Sequence, residues 1–497
     1  LVGSEMCIRD RLGVFGLGIL AIVELSIFVL NFFLSLTIIF RERKSTSTTW
    51  AWLFVVNLLP VFGFILYILV GRGIAHYRIF KVQRAFRVGF EEQLKRTWRV
   101  YNEEGFIKKI TRNHGITQLI HMLFVEEKAV ISANTGVKIF TDGRAKFDAL
   151  LDDIHNAKHH IHLEYYIFRM DHLGRELTNA LTAAVKRGVE VKVLIDAWGS
   201  NKTKMREFDE LTKAGGEVSY FFPLILSLIN PRTNYRLHRK IVVIDGQIGY
   251  TGGFNVGDEY ATETAKFGYW RDTHLRLTGD VVYSLQNRFI MDWNSQHKFE
   301  ISEAEEYFPA ALEEDRIITQ FVTSGPDEVK AQIKMTYMKM INSAEREIII
   351  QTPYYVPDDA LHESLKLALL SGVEVRLMIP NKPDHPLVYW ATYYYAADLL
   401  KMGAKVYTYE KGFVHSKTLI IDGEYASVGS ANFDNRSLQL CFEGNMVLYD
   451  YDISQKLRED FKKDLEVSKR LTMEIYEERS TSIRFKEGLA RLISPML

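Results

Sequence analysis

Cysteine is scarce in this chain: Cys7 and Cys441 are the only two in 497 residues, so there is no disulfide framework and no Cys-x-x-Cys pair for a metal. The soluble part therefore reads as a protein of a reducing compartment. Net charge is also missing, since 62 Lys and Arg balance 62 Asp and Glu. No global field draws such a chain to a polyanion, which weighs against a nuclease. A composition that is 47% hydrophobic and 25% charged is ordinary for globular proteins, and the length exceeds what one core usually serves. At least two globular units are expected.

The apolar residues are unevenly spread. Leu12 to Phe40 is almost wholly apolar, interrupted by Glu24 and Asn31, and Thr49 to Val70 is apolar again. Roughly 20 residues cross a bilayer, and a second run in place of a small-residue cleavage site argues against a signal peptide. The linking RERKSTST is too short for a domain, so residues 12–75 read as a two-helix transmembrane hairpin with both ends on one side. Trp50 and Trp52 fall where interfacial aromatics belong. Arg72, Arg78, Lys81, Arg84 and Arg87 follow without an acidic residue, against Arg41, Arg43 and Lys44 between the spans. That asymmetry favours cytoplasmic catalytic lobes in a multi-pass cell-membrane protein, and it makes 76–125 a basic juxtamembrane linker, either a solvated face or a contact for anionic lipid. The opening LVGSEMCIRDR, residues 1–11, lacks an initiator methionine and reads as an artefact.

Beyond residue 125, short β-branched runs alternate with helical stretches. HHIHLEYYIF, VEVKVLIDAW and HRKIVVID read as strands, with GRELTNALTAAVKRG as a helix, and REIIIQTPYYV, VEVRLMIP and HSKTLIID repeat the plan. GVEVKVLI and GVEVRLMI are near copies. Two homologous α/β lobes are expected, over 126–310 and 311–480, with largely parallel sheets and an amphipathic tail over 481–497. The tail suits a membrane surface or packing against a lobe.

The repeat is sharpest in RLHRKIVVIDGQIGYTGGFN and FVHSKTLIIDGEYASVGSAN. His238 and His415, Lys240 and Lys417, Asp245 and Asp422, Gly252 and Gly429, and Asn255 and Asn432 all stand 177 residues apart. On a strand, His238 and Lys240 share a face, and Asp245 points the other way. Asp-Gly matches a two-residue hairpin turn, and the small residues before each asparagine would let a bound group approach the backbone. Two such units facing one cavity bring together two imidazoles, two ammoniums and two carboxamides, a set suited to a phosphodiester. A neutral imidazole attacks phosphorus, the opposing imidazolium protonates the leaving alkoxide, and Lys and Asn stabilise the phosphoryl oxygens without a metal.

A nucleophilic histidine needs an acceptor on its far nitrogen, so each lobe should hide a carboxylate near its own histidine. Glu443 lies inside the apolar LQLCFEGNMVLYD, and Asp272 in GYWRDTHLRL is the match; a salt bridge to a nearby arginine is the competing account. His155, His159, His160 and His162 have ligand-like spacing, yet no Cys or acidic partner pattern follows. Tyr393 to Tyr395 read as core and groove aromatics.

The paired HxKxxxxD motifs, with GGFN and GSAN, resemble those of the phospholipase D superfamily. With the two spans, GFILYILVGR, FGYWRDTHLRL, IPNKPDHP and NFDNRS, the chain is similar to bacterial cardiolipin synthases from about residue 12 onward. The resemblance implies two lobes with the active site at their interface, no cofactor, and transfer of a phosphatidyl group between two phosphatidylglycerol molecules through a phosphohistidine. It assigns the catalytic set His238, Lys240, Asp245, His415, Lys417 and Asp422, with His238 as nucleophile and His415 as acid and base. Lys240, Lys417, Asn255 and Asn432 would bind phosphate, and Asp245 and Asp422 would be structural members of the motif. Hydrolysis or phosphatidylserine synthesis would use the same groups, and a scaffold on a decayed duplicate would have lost one. Expected partners are phosphatidylglycerol and anionic membrane lipid, not nucleic acid.

Overall fold

The structure is a computed structural model that describes residues 2–40, 46–67, 110–125, 129–223, 235–297, 301, 305–312, 317–328 and 330–494. The chain divides into two compact units, one holding the N-terminal apolar region and the other both lobes.

The N-terminal unit contains helices α1 (Val2–Phe40), α2 (Thr46–Leu58) and α3 (Pro60–Leu66). The second apolar run is thus two helices. Pro60 has no N–H to continue the ladder and restricts the residue before it, and Leu59 leaves the helical region at φ −123°, ψ 73°. Asn31, a polar interruption of the first run, is buried and donates to the Pro60 carbonyl at 3.3 Å. Trp52 is buried edge-on against Tyr67 at 5.2 Å, and Trp50 is exposed. Among the described residues one helix, Ala21–Phe40, is long and apolar enough to cross a membrane. The basic cluster from Arg72 to Arg87, and Arg41, Arg43 and Lys44, lie outside the described residues.

The larger unit holds two sheets of matching order. The first comprises β1 (Thr135–Phe140), β2 (His160–Tyr165), β3 (Glu190–Asp196), β4 (Glu217–Phe221), β5 (Ile241–Ile244), β6 (Ile248–Gly252) and β7 (His274–Gly279). The second comprises β8 (Thr319–Ser324), β9 (Glu347–Gln351), β10 (Glu374–Pro380), β11 (Lys405–Tyr409), β12 (Thr418–Ile421), β13 (Tyr425–Gly429), β14 (Cys441–Leu448) and β15 (Ser468–Leu471). Their orders are β1-β7-β6-β5-β2-β3-β4 and β8-β14-β13-β12-β9-β10-β11-β15. The expected largely parallel sheets are mixed. Only β2, β3 and β4, and likewise β9, β10 and β11, run parallel, each joined to the next through a helical crossover, and the other neighbouring strands pair antiparallel.

Alternation along β5 explains the layering. Val242 and Ile244 pack under the first lobe's helices with Phe147 and Leu177, while Ile241 and Val243 join Ile349, Ile420 and Val428 of the second lobe. Residues 110–125, expected in a linker, include helix His114–Val125, whose Ile116, Leu119 and Ile120 enter the second lobe's core. The strand Ile131–Ser132 also pairs with β8, so the first lobe begins at β1. In the tail, helix Thr481–Ile493 packs through Ala490 against Val356 and Ala391 and exposes Phe485, Leu489 and Leu492.

Each Asp-Gly turn is a three-residue loop, Asp245 to Gln247 and Asp422 to Glu424, closing on Ile244↔Ile248 and Ile421↔Tyr425. Asp245 and Gly246 both have positive φ (54° and 66°), as do Asp422 and Gly423 (56° and 66°), a conformation that Asp and Gly tolerate best. The expectation of two-residue loops is corrected by this extra residue.

Candidate active site

His238 and Lys240 precede β5, and His415 and Lys417 precede β12, so the motif residues stand at strand entrances and not within the hairpins. Two short parallel ribbons cross between the lobes. Arg236–Leu237 pairs with Cys441–Phe442, and Gly412–Val414 pairs with Tyr269–Arg271. The next residue on each strand is the motif histidine or, on the partner strand, the candidate carboxylate. His238 N–H donates to Phe442 O at 2.9 Å, bringing His238 beside Glu443, and His415 N–H donates to Arg271 O at 2.7 Å, bringing His415 beside Asp272.

The carboxylates are therefore exchanged between lobes. His238 Nδ1 lies 3.0 Å from Glu443 Oε2, and His415 Nδ1 lies 2.5 Å from Asp272 Oδ2. The expectation that each lobe serves its own histidine fails because the ribbons cross. Both carboxylates are fully buried, and neither is a simple arginine partner. Asp272 Oδ1 accepts from Thr273 N–H at 2.8 Å, and Glu443 Oε2 accepts from the Ser430 hydroxyl. Burial pushes both carboxyls up, but Lys417 with His415, and His238 with Lys240, outweigh it and hold both below the ordinary range.

The histidines line one cavity of about 570 Å³, together with Asn255, Asn432, Tyr166 and Trp270. Burial lowers His238, against the pull of Glu443, and brings His415 down to about 4 with help from Lys417. Tyr166 stacks edge-on to His238 at 4.9 Å and Trp270 lies 5.1 Å from His415. Asn255 Oδ1 accepts from Ile167 N–H at 3.2 Å, Asn432 Nδ2 donates to Ser437 Oγ at 3.2 Å, and Asn432 Oδ1 has no hydrogen bond among the described residues.

Lys240 and Lys417 are fully buried behind the rings and are not lining residues. Lys240 Nζ donates to His238 O at 2.5 Å, and Lys417 Nζ donates to His415 O and lies 4.0 Å from Asp272. Burial brings them down to about 7 and about 8. Asp245 and Asp422 are remote from the cavity wall. Asp245 accepts from the N–H groups of Lys158, His159 and His160, and Asp422 from those of Glu345, Arg346 and Glu347, so each ties a hairpin to the start of a neighbouring strand.

Gly253 and Gly429 do not admit a ligand. A Cβ on Gly253 would lie 1.9 Å from Asp272 Oδ1, and one on Gly429 would lie 2.3 Å from Asn445 Oδ1, so the space belongs to the protein's own side chains. The histidine cluster is taken up internally: His155 Nδ1 bonds Leu151 O, His159 Nδ1 meets His160 Nδ1 at 2.9 Å, His160 Nε2 bonds Gln286, and His162 Nε2 bonds Glu190. Ser430, Tyr166, Trp270 and the cationic wall residues were missed by the sequence reading; the serine alone carried a signal, as the mismatch between GGFN and GSAN.

A family model described as "Cardiolipin synthase, PLD-like domain" matches residues 150–293 and 337–465, one region in each lobe, and "Phospholipase_D-nuclease N-terminal" matches 29–72. The chain is 49% identical over 480 residues to a cardiolipin synthase of Staphylococcus aureus, covering 96% of this chain and 97% of that one. It is 48% identical over 471 residues to the major cardiolipin synthase of Bacillus subtilis, covering 95% and 98%. A phosphatidylserine synthase structure from Haemophilus influenzae superposes with a TM-score of 0.58 at 15% identity, covering 76% of this chain and 100% of that one, a likeness of fold. With both lobes matched and near-half identity along almost its whole length, the chain belongs to the cardiolipin synthase family of phospholipase D-like proteins.

Proposed function

We propose that the chain transfers the phosphatidyl group of one phosphatidylglycerol to a glycerol hydroxyl of a second, releasing glycerol and forming cardiolipin. The observation that carries this reading is the pair of cavity-lining histidines, each with Nδ1 on a carboxylate from the other lobe. Such a bond holds the proton on Nδ1 and leaves Nε2 free to react. Burial favours neutral His238, the state that attacks phosphorus. His415 must protonate the departing glycerol oxygen, and an anionic phosphodiester beside it opposes the lowering that burial imposes. The phosphohistidine on His238 is then opened by the second lipid's hydroxyl, whose proton passes to His415. Asn255 and Asn432 contribute amide donors to the phosphoryl oxygens. Lys240 and Lys417 contribute positive charge from behind the rings in a water-poor site.

The lobe interface is the active site in this reading, and the N-terminal helices form a membrane hairpin that keeps the cavity near concentrated lipid, with the lobes cytoplasmic. The basic stretch from Arg72 to Arg87 would add attraction to anionic headgroups, at about 1 kcal/mol per residue near the surface. Purified protein in phosphatidylglycerol vesicles, with cardiolipin, phosphatidic acid and released glycerol quantified, tests the reaction. Equimolar cardiolipin and glycerol are expected. Phosphatidic acid as the sole lipid product would make the chain a hydrolase, and phosphatidylserine formed from a nucleotide-activated lipid and serine would make it a serine transferase.

A further inference from the structure

The transfer reading needs two phosphates, since the acceptor lipid carries one of its own. The cations on the cavity wall are not equivalent. Arg169 is paired with Glu259 at 2.6 Å, and Lys202 and Lys266 are exposed. Arg236 is only 6% exposed, makes one hydrogen bond, to Tyr235 O at 2.9 Å, and lies 5.0 Å over the Trp198 ring. The carboxylate that offsets its charge, Asp196, is already committed: Oδ1 accepts from the N–H groups of Trp198 and Gly199, and Oδ2 from that of Leu237. Arg436, on the same wall, raises the positive potential further. Asp434 also faces this wall, with Oδ1 held by Ser437 N–H at 2.6 Å. Among the described residues Arg236 has no ion pair, and a buried guanidinium in that state calls for an anion.

We infer that Arg236, assisted by Arg436, binds the phosphate of the acceptor phospholipid, a subsite that rests on the phosphatidylglycerol-to-phosphatidylglycerol reading. Arg236 stands two residues before His238 in extended chain, so the two positions are about 7 Å apart, a distance that a three-carbon glycerol bridge between two phosphates can span. The acceptor's own phosphate on Arg236 would aim its free hydroxyl at the phosphohistidine. An O–P bond forms as the N–P bond breaks, and the hydroxyl proton goes to His415. Water and free glycerol have no second phosphate and gain nothing from the subsite, which thus selects a lipid acceptor over hydrolysis.

The test uses the full chain in phosphatidylglycerol vesicles with labelled glycerol. Cardiolipin synthesis uses two phosphates, whereas incorporation of labelled glycerol into phosphatidylglycerol, the reverse of the first step, uses one. Arg236→Gln should lower cardiolipin synthesis roughly 10- to 100-fold, the size of a lost charge-assisted bond, while changing glycerol exchange less than about threefold. Arg236→Lys should recover part of the synthesis, and phosphatidic acid should rise relative to cardiolipin in Arg236→Gln. Equal loss of both reactions, or unchanged synthesis, overturns the subsite. Wild-type protein that releases glycerol but makes only phosphatidic acid overturns the transfer reading, and the subsite with it.

Discussion

The two lobes share a strand order and a motif, yet they hold their carboxylates by different means. The first lobe presents the short Asp272 beside Gly253, where any side chain would collide with the carboxylate, and fixes it with a backbone N–H. The second lobe presents the longer Glu443 and fixes it with Ser430, the counterpart of Gly253. One arrangement uses absence of a side chain, the other an added hydroxyl, and both deliver an acceptor to Nδ1 of the opposite histidine. The residue between His and Lys diverges similarly. Arg239 donates to Glu443 O at 2.9 Å, while Ser416 meets Thr273, the neighbour of Asp272, at 2.7 Å. What the repeat preserves is the position of a carboxylate, not the residues that secure it, so exchanging residues between lobes tests whether the two halves are equivalent.

The largest difference is expected between the histidines themselves. In-line displacement allows one of them to attack, and the other serves the leaving group. After fast quench with acyl-labelled phosphatidylglycerol, His238→Ala should trap no acid-labile adduct, and His415→Ala should trap some, most with a substrate whose leaving group needs no proton. An adduct on His415 would exchange the roles, and its absence from every variant would remove the covalent step.

Next in size, Asp272→Asn and Glu443→Gln should each lower turnover about 10²-fold or more, since an amide can hold the wrong imidazole tautomer. The crossed pairing adds a sharper expectation: Asp272→Asn should retain more adduct than Glu443→Gln, because Asp272 serves His415. Near-normal rates in both variants would reduce the two contacts to structural hydrogen bonds.

Exchange of the supporting residues should have unequal effects. Gly253→Ser drives Cβ into Asp272 and should cost more activity than Ser430→Gly, which removes one charge-assisted bond and should cost about tenfold. Comparable losses would show that Asp272 can move aside. The acid and base groups give a pH test of the same machinery. Burial brings Lys240 down to about 7 and Lys417 to about 8, so kcat/KM should fall on an alkaline limb between pH 7 and 8 as the site loses positive charge. A flat profile to pH 9 would remove the lysine charges from the rate.

Much of this comparison was legible in the sequence, because a constant offset of 177 residues survives for the groups that must converge. Glu443 was also visible, as an acid inside an apolar run, and Asp272 as its match in the first lobe. Their partners were not, because which histidine a carboxylate meets depends on ribbons that cross between lobes, and pairing register leaves no periodic trace. Arg236 was hidden for a related reason: one arginine of several in the basic PRTNYRLHRK looks solvated until burial and the commitments of Asp196 are known. Pro60 was in plain view inside the second apolar run, yet apolarity measures span length and says nothing of continuity.

The smallest effect concerns a buried pair behind the site. Gln351 of β9 donates to Asp464 at 2.8 Å, and Asp464 also binds Arg271, the residue before Asp272. Glu164 holds the matching place on β2, fully buried beside Asp292, which binds Arg239. Among the described residues neither Glu164 oxygen has a hydrogen-bond donor, and two ionised carboxylates cannot bond each other. Burial, and then Asp292, raise its pKa, so a protonated Glu164 can donate to Asp292 as Gln351 donates to Asp464. The sign follows from proton binding: between the unfolded and folded pKa the native state holds the extra proton, so this contribution to stability is full at acid pH and declines as pH rises. Glu164→Gln keeps the donor without the titration. It should leave activity within about threefold and raise Tm more at pH 8 than at pH 5. A Tm loss at both values would show that Glu164 is not the protonated counterpart of Gln351.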